Sequence, residues 1–295
     1  MENALKKIQL LNGETYSYRE FGNASKTLVF LHSAYFSSAF MSPYLGQLSE
    51  TFHIYAPDFR GHGHSTYNKP ISQMEDLVED VKEFVDMLGL TKFYLVGWSL
   101  GGATSLKFAA TYPDYVEKLV VLGSAGAKGI PSFKDDEQGN PTTERAVNDE
   151  EVLQTKFGKI LVQVRGANDR GTVGYLLGLL VLNGRTKPSA ETLDRYVDDF
   201  FLCRCHEQTL MLVNKFNISN ENNGVIDGTN ELSKIKAKVL IIHGEKDSIV
   251  PFKDAEDLKR RFQDQAELKS YEEGGHATLT DYPEQIIPVI KEFCS

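Results

Sequence analysis

Cysteine is scarce in this chain of 295 residues, occurring only at Cys203, Cys205 and Cys294. An odd count cannot close into a disulfide framework, so reduced thiols in a cytoplasm are the expectation. The sequons Asn23-Ala24-Ser25 and Asn217-Ile218-Ser219 are then expected to stay unmodified. Basic excess is also missing: 32 Lys and Arg face 41 Asp and Glu, a net charge of −9. That excludes a surface that tracks nucleic-acid phosphates, which needs clustered cations. Long apolar runs are absent too. The most apolar stretch, Val173 to Leu182, spans ten residues with two glycines inside, whereas about 18 to 20 are needed to cross a bilayer. Met1-Glu2-Asn3-Ala4-Leu5-Lys6-Lys7 holds no apolar stretch of the secretory kind. No repeat or low-complexity tract occurs. What remains is 41% hydrophobic and 25% charged, an ordinary globular composition.

The first half alternates strands and helices. Lys7–Leu11 and Thr15–Phe21 pattern as paired strands turning at Asn12-Gly13, a strong hairpin signal. Thr27–His32 and His53–Pro57 are short apolar runs of the kind buried in a sheet. Met74–Leu88 carries a helical stripe of Leu77, Val81, Phe84, Val85 and Leu88. Phe93–Trp98 predicts a strand, Ala103–Ala110 a helix and Lys118–Leu122 a strand. From about Ala125 to Gly228 the strand signals stop. Phe133–Pro141 is polar and predicts a loop, while Val152–Val164, Thr172–Leu182 and Thr192–Phe216 predict helices. Alternation resumes with a strand at Lys238–His243, a helix from about Lys253, a strand near Glu267–Tyr271 and a helix after Pro283. The pattern predicts an α/β fold, with a largely parallel sheet flanked by helices. Residues 1–124 and 229–295 would form its core, and 125–228 a helical insertion.

Gly97-Trp98-Ser99-Leu100-Gly101 fits G-x-S-x-G between an apolar strand and an apolar helix. A serine in so sharp a turn is held in strained backbone, and flanking glycines let the chain fold back. It also sits at a helix N-terminus, where free N–H groups favour developing negative charge. A neutral serine needs a base. Of seven histidines, His276 in Gly274-Gly275-His276-Ala277 follows the last predicted strand. His243 and His53 lie on strands, and His206 lies in the insertion beside cysteines. His62 and His64 form an H-x-H pair with no further metal ligands apparent, so a loop role is expected and no metal or cofactor is implied. The orienting acid should also follow a strand. Asp247, in Gly244-Glu245-Lys246-Asp247, is the choice, with Glu245 as its neighbour. After Leu122, the alternative place, Gly123-Ser124-Ala125-Gly126 offers no carboxylate.

Together these segments resemble the α/β-hydrolase superfamily. Four of them carry the likeness: Leu31-His32-Ser33-Ala34, Asp58-Phe59-Arg60-Gly61-His62-Gly63-His64-Ser65, the turn at Ser99, and the loops holding Asp247 and His276. The resemblance implies a mostly parallel eight-stranded sheet, with 125–228 as a helical cap that sets substrate choice. It also implies the order Ser…Asp…His. Relatives usually have His-Gly where this chain has His32-Ser33; the next N–H makes half of the oxyanion hole. Ala34 inherits that role, and the Leu100 N–H supplies the other half. His32, Asp58 and Arg60 are expected to fix loops rather than do chemistry.

The resemblance implies a hydrolase acting on a small molecule. An aspartate at the turn would mark haloalkane dehalogenases and epoxide hydrolases, but here it is Ser99. Proline iminopeptidases usually show G-G-S-W-G, which this turn does not match. Cleavage of a carboxylic ester or lactone through an acyl-enzyme on Ser99 is the least demanding fit. Carbon–carbon hydrolysis of a vinylogous diketone and a non-catalytic ligand receptor of the same fold stay open. Tyr35, Phe36 and Trp98 are candidate substrate contacts. Val173–Leu182, apolar nearly all round, should be buried on several sides, against the core or along an acyl or aromatic pocket. Arg165, Asp169 and Arg170 are expected at the surface, and Cys203 and Cys205 at buried helical positions.

Overall fold

The computed structural model describes residues 4–295; Met1, Glu2 and Asn3, at the head of the segment inspected for a leader, lie outside it. Asn12-Gly13 turns the chain between β1 (Lys6–Gln9) and β2 (Thr15–Phe21), which pair antiparallel with Gln9 opposite Thr15. There follow β3 (Thr27–Leu31), α1 (Ser42–Leu48), β4 (His53–Pro57), α2 (Met74–Met87), β5 (Phe93–Trp98), α3 (Leu100–Thr111) and β6 (Val116–Leu122). The chain then leaves the sheet. Residues 123–237 hold a small hairpin, β7 (Phe133–Asp135) and β8 (Pro141–Arg145), and five helices. These are α4 (Asp149–Gln154), α5 (Lys156–Gly166), α6 (Arg170–Leu176), α7 (Ala190–Leu202) and α8 (His206–Lys215). The sheet resumes with β9 (Lys238–Gly244), α9 (Phe252–Phe262) and β10 (Ala266–Tyr271), followed by α10 (Thr278–Asp281) and α11 (Pro283–Phe293).

The eight strands lie in the order β1-β2-β4-β3-β5-β6-β9-β10. Only β2 runs against its neighbours; every pair from β4 to β10 is parallel. This is the eight-stranded, mostly parallel sheet of the α/β-hydrolase fold. Its central strands are apolar throughout because both faces are covered. In β5, Phe93 and Leu95 join a cluster with Leu77 and Leu106 of α2 and α3, while Tyr94, Val96 and Trp98 join Leu45 and Ile286 of α1 and α11. The stripe of α2 is buried along its length.

Residues 123–237 depart from the sequence pattern in four places, the first being a break at Thr155 that divides the expected helix Val152–Val164 into α4 and α5. Phe133–Pro141, expected as a loop, lies within the β7–β8 hairpin of residues 133–145. Its exposed β8 has no apolar face to betray a strand. Thr192–Phe216 is not one helix: it breaks at Cys203-Arg204-Cys205, so these cysteines occupy a joint. Val173–Leu182 is a short α-helix running into a π turn over Leu177–Val181. Its outer side is open, with Tyr175 68% and Leu179 50% exposed.

A buried carboxylate ties these helices to the core. Asp199 of α7 accepts hydrogen bonds from the Ser37 N–H (2.8 Å) and hydroxyl (2.6 Å), in the loop after β3. Burial pushes its carboxyl up to about 6 in spite of those two donors. The folded chain therefore holds this proton more tightly than the unfolded chain, whose ordinary value is 3.8. Stability arising from Asp199 falls as pH rises through that window. Urea midpoints of wild type and Asp199→Asn, followed from about pH 4 to about pH 6.5, should show the wild-type advantage shrinking by up to roughly 3 kcal/mol. A pH-independent difference would remove the carboxylate as the cause.

Candidate active site

Ser99 stands between β5 and α3 with φ 55° and ψ −113°, a backbone strained for any side chain. The turn is possible because Gly97 lacks a Cβ, which would strike the Gly101 carbonyl and the Ser105 hydroxyl. The Ser99 N–H is held by the Leu122 carbonyl of β6 at 2.9 Å. Leu100 opens α3, so its N–H belongs to the free amides at a helix N-terminus.

Asp247 and His276 come from the loops after β9 and β10 and meet at 2.8 Å, His276 Nδ1 to Asp247 Oδ2. The other carboxylate oxygen accepts the N–H groups of Ile249 and Val250, each at 2.9 Å. His243, at the end of β9, brings Nε2 to 3.3 Å from Asp247 Oδ2 and 2.8 Å from the Val250 carbonyl. Burial alone would raise the Asp247 carboxyl; the imidazoles of His276 and His243 outweigh it and hold the group well below the carboxylate range. Glu245, the neighbouring acid, is exposed. Gly123 ends β6 beneath this pair at φ +47°. A Cβ there would lie 3.0 Å from the His276 carbonyl oxygen and 3.3 Å from Asp247 Oδ2.

The loop after β3 carries Ser33, Ala34 and Tyr35 past the same strand ends. His32 anchors it: Nδ1 lies 2.7 Å from the Ser33 carbonyl, and Nε2 accepts the Phe59 N–H at 2.8 Å. Burial pushes the His32 imidazole well below its usual range, so it is neutral with its proton on Nδ1. Asp58 receives Ser38 and the His64 N–H, and Arg60 forks onto the buried Asp80, so both residues fix loops.

Ser99, His276, Ser33, Ala34, Tyr35 and Phe36 line one cavity of about 450 Å³, the size of small-molecule sites. No hydrogen bond joins Ser99 Oγ to His276 among the described residues; such contacts commonly tighten only once substrate is bound. Trp98 does not reach the cavity and is corrected from a substrate contact to a tether. As the strand residue before Ser99 it points to the opposite sheet face, packs on Phe36 and Phe40, and donates its indole N–H to the His276 carbonyl at 3.0 Å. The far wall adds residues not named from the sequence, Phe157 and Ile160 of α5, Leu210 of α8 and Ile249, beside Leu180 of the π turn, which comes from the stretch Val173–Leu182 expected against the core or along such a pocket. The Phe157-x-x-Ile160-Leu161-x-x-Val164 spacing of α5 was the available signal. Arg165 and Arg170 are spent on Glu207 and on Asp194 and Asp198 at the surface.

The chain matches the α/β hydrolase fold family over residues 26–160 and the dienelactone hydrolase family over residues 223–291. It is 27% identical to a pimeloyl-[acyl-carrier protein] methyl ester esterase of Nitrosospira multiformis, over 95% of this chain and 99% of that one. It is 24% identical to a proline iminopeptidase of Pestalotiopsis fici, over 95% and 96% respectively. An esterase structure from Exiguobacterium antarcticum superposes with a TM-score of 0.75 at 21% identity, covering 98% of each chain. The fold is that of the α/β-hydrolase superfamily, and these likenesses support an enzyme of that class.

Gly123→Ala should displace the Asp247–His276 pair, because a methyl group at positive φ is strained and its 3.0 Å approach requires the His276 backbone to give way. Hydrolytic kcat/KM is expected to fall about 100-fold, since a shift near 1 Å has that effect, and a lower melting temperature should accompany it. Unchanged kinetics in the variant would show that Gly123 places nothing.

Proposed function

We propose that this enzyme hydrolyses carboxylic esters or lactones of small, largely apolar molecules through an acyl-enzyme on Ser99. The observation that carries the proposal is the shared cavity of Ser99 and His276, with His276 backed by the buried Asp247 at 2.8 Å. Ser99 Oγ attacks the substrate carbonyl carbon while His276 Nε2 takes its proton. The carbonyl oxygen becomes an oxyanion held by the N–H groups of Ala34 and Leu100; losing one such donor typically costs 10² to 10³ in kcat, an order-of-magnitude figure. The intermediate collapses, the C–O bond breaks, and the imidazolium returns its proton to the leaving alcohol. Water, deprotonated by His276, then attacks the acyl carbonyl and frees Ser99. Asp247 keeps the His276 proton on Nδ1 and stabilises the imidazolium; it does not take the proton.

The wall facing the nucleophile sets the substrate class. Tyr35, Phe36, Phe157, Ile160, Leu180 and Leu210 give an apolar surface, suited to an alkyl or aryl acyl group. We read 1–124 and 229–295 as the catalytic core and 125–228 as a cap that supplies most of that wall. A cytoplasmic setting is supported by three free thiols. Among the described residues no helix is long and apolar enough to cross a membrane.

Short-chain p-nitrophenyl esters should be turned over. Ser99→Ala should lose on the order of 10⁴-fold or more of kcat, and Asp247→Asn about 10³ to 10⁴-fold. A fluorophosphonate should label Ser99 and no other residue, as read by mass spectrometry. Retention of ester turnover in Ser99→Ala, or cleavage of proline p-nitroanilide in place of esters, would overturn the proposal. So would ligand binding without turnover or labelling.

A further inference from the structure

The H-x-H loop lacks metal ligands in the sequence around it, but the fold supplies them. His62, Cys203 and Cys205 come together from the loop after β4 and the α7–α8 joint, with one potential ligand atom from each residue and all three within 4.8 Å. All three side chains are buried and both thiols are free. The site is far from random in shape. Cys203 Sγ and Cys205 Sγ are 3.9 Å apart, and Cys205 Sγ lies 3.6 Å from His62 Nδ1 and 3.9 Å from Nε2. Metal–sulfur bonds of about 2.3 Å and metal–nitrogen bonds of about 2.0 Å at tetrahedral angles place sulfurs about 3.8 Å apart and sulfur and nitrogen about 3.5 Å apart. The sulfur–sulfur edge and the edge from Cys205 to Nε2 are therefore within about 0.4 Å of that geometry, and the edge from Cys203 to His62 closes within 4.8 Å.

From this cluster we propose that His62, Cys203 and Cys205 form a binding site for a thiophilic d¹⁰ metal ion of the Zn²⁺ or Cd²⁺ type. His62 Nδ1 lies 3.1 Å from the Arg60 carbonyl; donating there leaves Nε2, 3.9 Å from Cys205 Sγ, as the nitrogen free to bind after a small turn of the ring, and metal-bound histidines are held by this kind of outer hydrogen bond. Two thiols and one imidazole are soft donors that select such ions over Mg²⁺ or Ca²⁺. Binding breaks two S–H bonds, forms two metal–sulfur bonds and one metal–nitrogen bond, and sends two protons to solvent. No electron moves. The resulting site carries no net charge, which suits its burial.

Access is short. Arg204, between the two cysteines, is exposed; its N–H is held by the Gly61 carbonyl at 2.7 Å, and its guanidinium by the Ser65 carbonyl. A bound ion would clamp the loop after β4 to the α7–α8 joint, immediately behind the oxyanion loop. The His62 ring lies 5.1 Å from that of His32, and His206, next to Cys205, stacks on Tyr35 at 5.3 Å.

The test is a Cd²⁺ titration of the fully reduced whole chain, read by thiolate-to-cadmium absorption in the ultraviolet and by a pH indicator. One ion per chain and two protons released are expected, with the melting temperature rising in added Zn²⁺. Cys203→Ser and Cys205→Ser should each weaken binding about 100-fold or more. A variant that fails to fold is replaced by alkylation of the wild type: Zn²⁺ should protect Cys203 and Cys205 from iodoacetamide and leave Cys294 unaffected. No absorption up to millimolar Cd²⁺ would overturn the proposal. So would binding that survives the double Cys→Ser change, or equal alkylation with and without Zn²⁺.

Discussion

Asp247 is buried between two imidazoles, and that placement governs the geometry of the candidate site. A carboxylate removed from water is stable only when its charge is answered at short range. Here His276 and His243 approach one oxygen, while the Ile249 and Val250 amides hold the other. These contacts draw the loops after β9 and β10 together and fix which nitrogen of His276 faces inward. They also leave no space for a side chain at the end of β6, where Gly123 lies directly beneath the pair. His243 is thus more than a packed strand residue: it is part of the electrostatic bed on which Asp247 rests.

The same strand ends carry the other parts. β3, β5, β6, β9 and β10 are consecutive neighbours in the sheet, and the loop carrying Ser33 to Tyr35, Ser99, Gly123, Asp247 and His276 each follow one of them. Open parallel sheets gather ligands at their carboxyl edge for this reason. Two of the five non-glycine residues at positive φ among the described residues lie there. Ser99 at φ 55° and Tyr35 at φ 69° are non-glycine residues in left-handed backbone, and both face the cavity. Buried surroundings over-determine them: β6 holds the Ser99 amide, and His32 pins the loop leading to Tyr35.

Legibility in the sequence follows the range of the signal. β5, the turn at Ser99 and α3 were readable because an apolar run, two glycines and a helical stripe are contiguous. The hairpin at 133–145 was not, since β8 is exposed along its length and carries no alternation of burial. Nor was the break at Cys203-Arg204-Cys205, because apolar spacing continues through it from α7 into α8. The direction of Trp98 was hidden too: its neighbour Ser99 turns out of the strand, so adjacency in the chain does not mean a shared face. The contact of His62 with Cys205 spans 143 residues, and no local pattern encodes it. Asp247 and His276 were nameable from their positions after strands, but their 2.8 Å contact, and the part played by His243, needed coordinates.

The helical segment leaves the sheet after β6 and returns at β9, and these two strands are hydrogen-bonded neighbours. Because the two strands run parallel, with Lys118 opposite Lys238 and Leu122 opposite Ile242, its ends are pinned roughly 14 Å apart, about four residues of rise along the strand and one spacing across. For a loop so anchored, the entropy of closure changes only logarithmically with length. Helices can be added, lost or re-registered there without altering a single strand pairing. The scaffold thus separates two tasks: the strand ends hold Ser99, Asp247 and His276 in place, while the arch above them can change in length and shape without moving those ends.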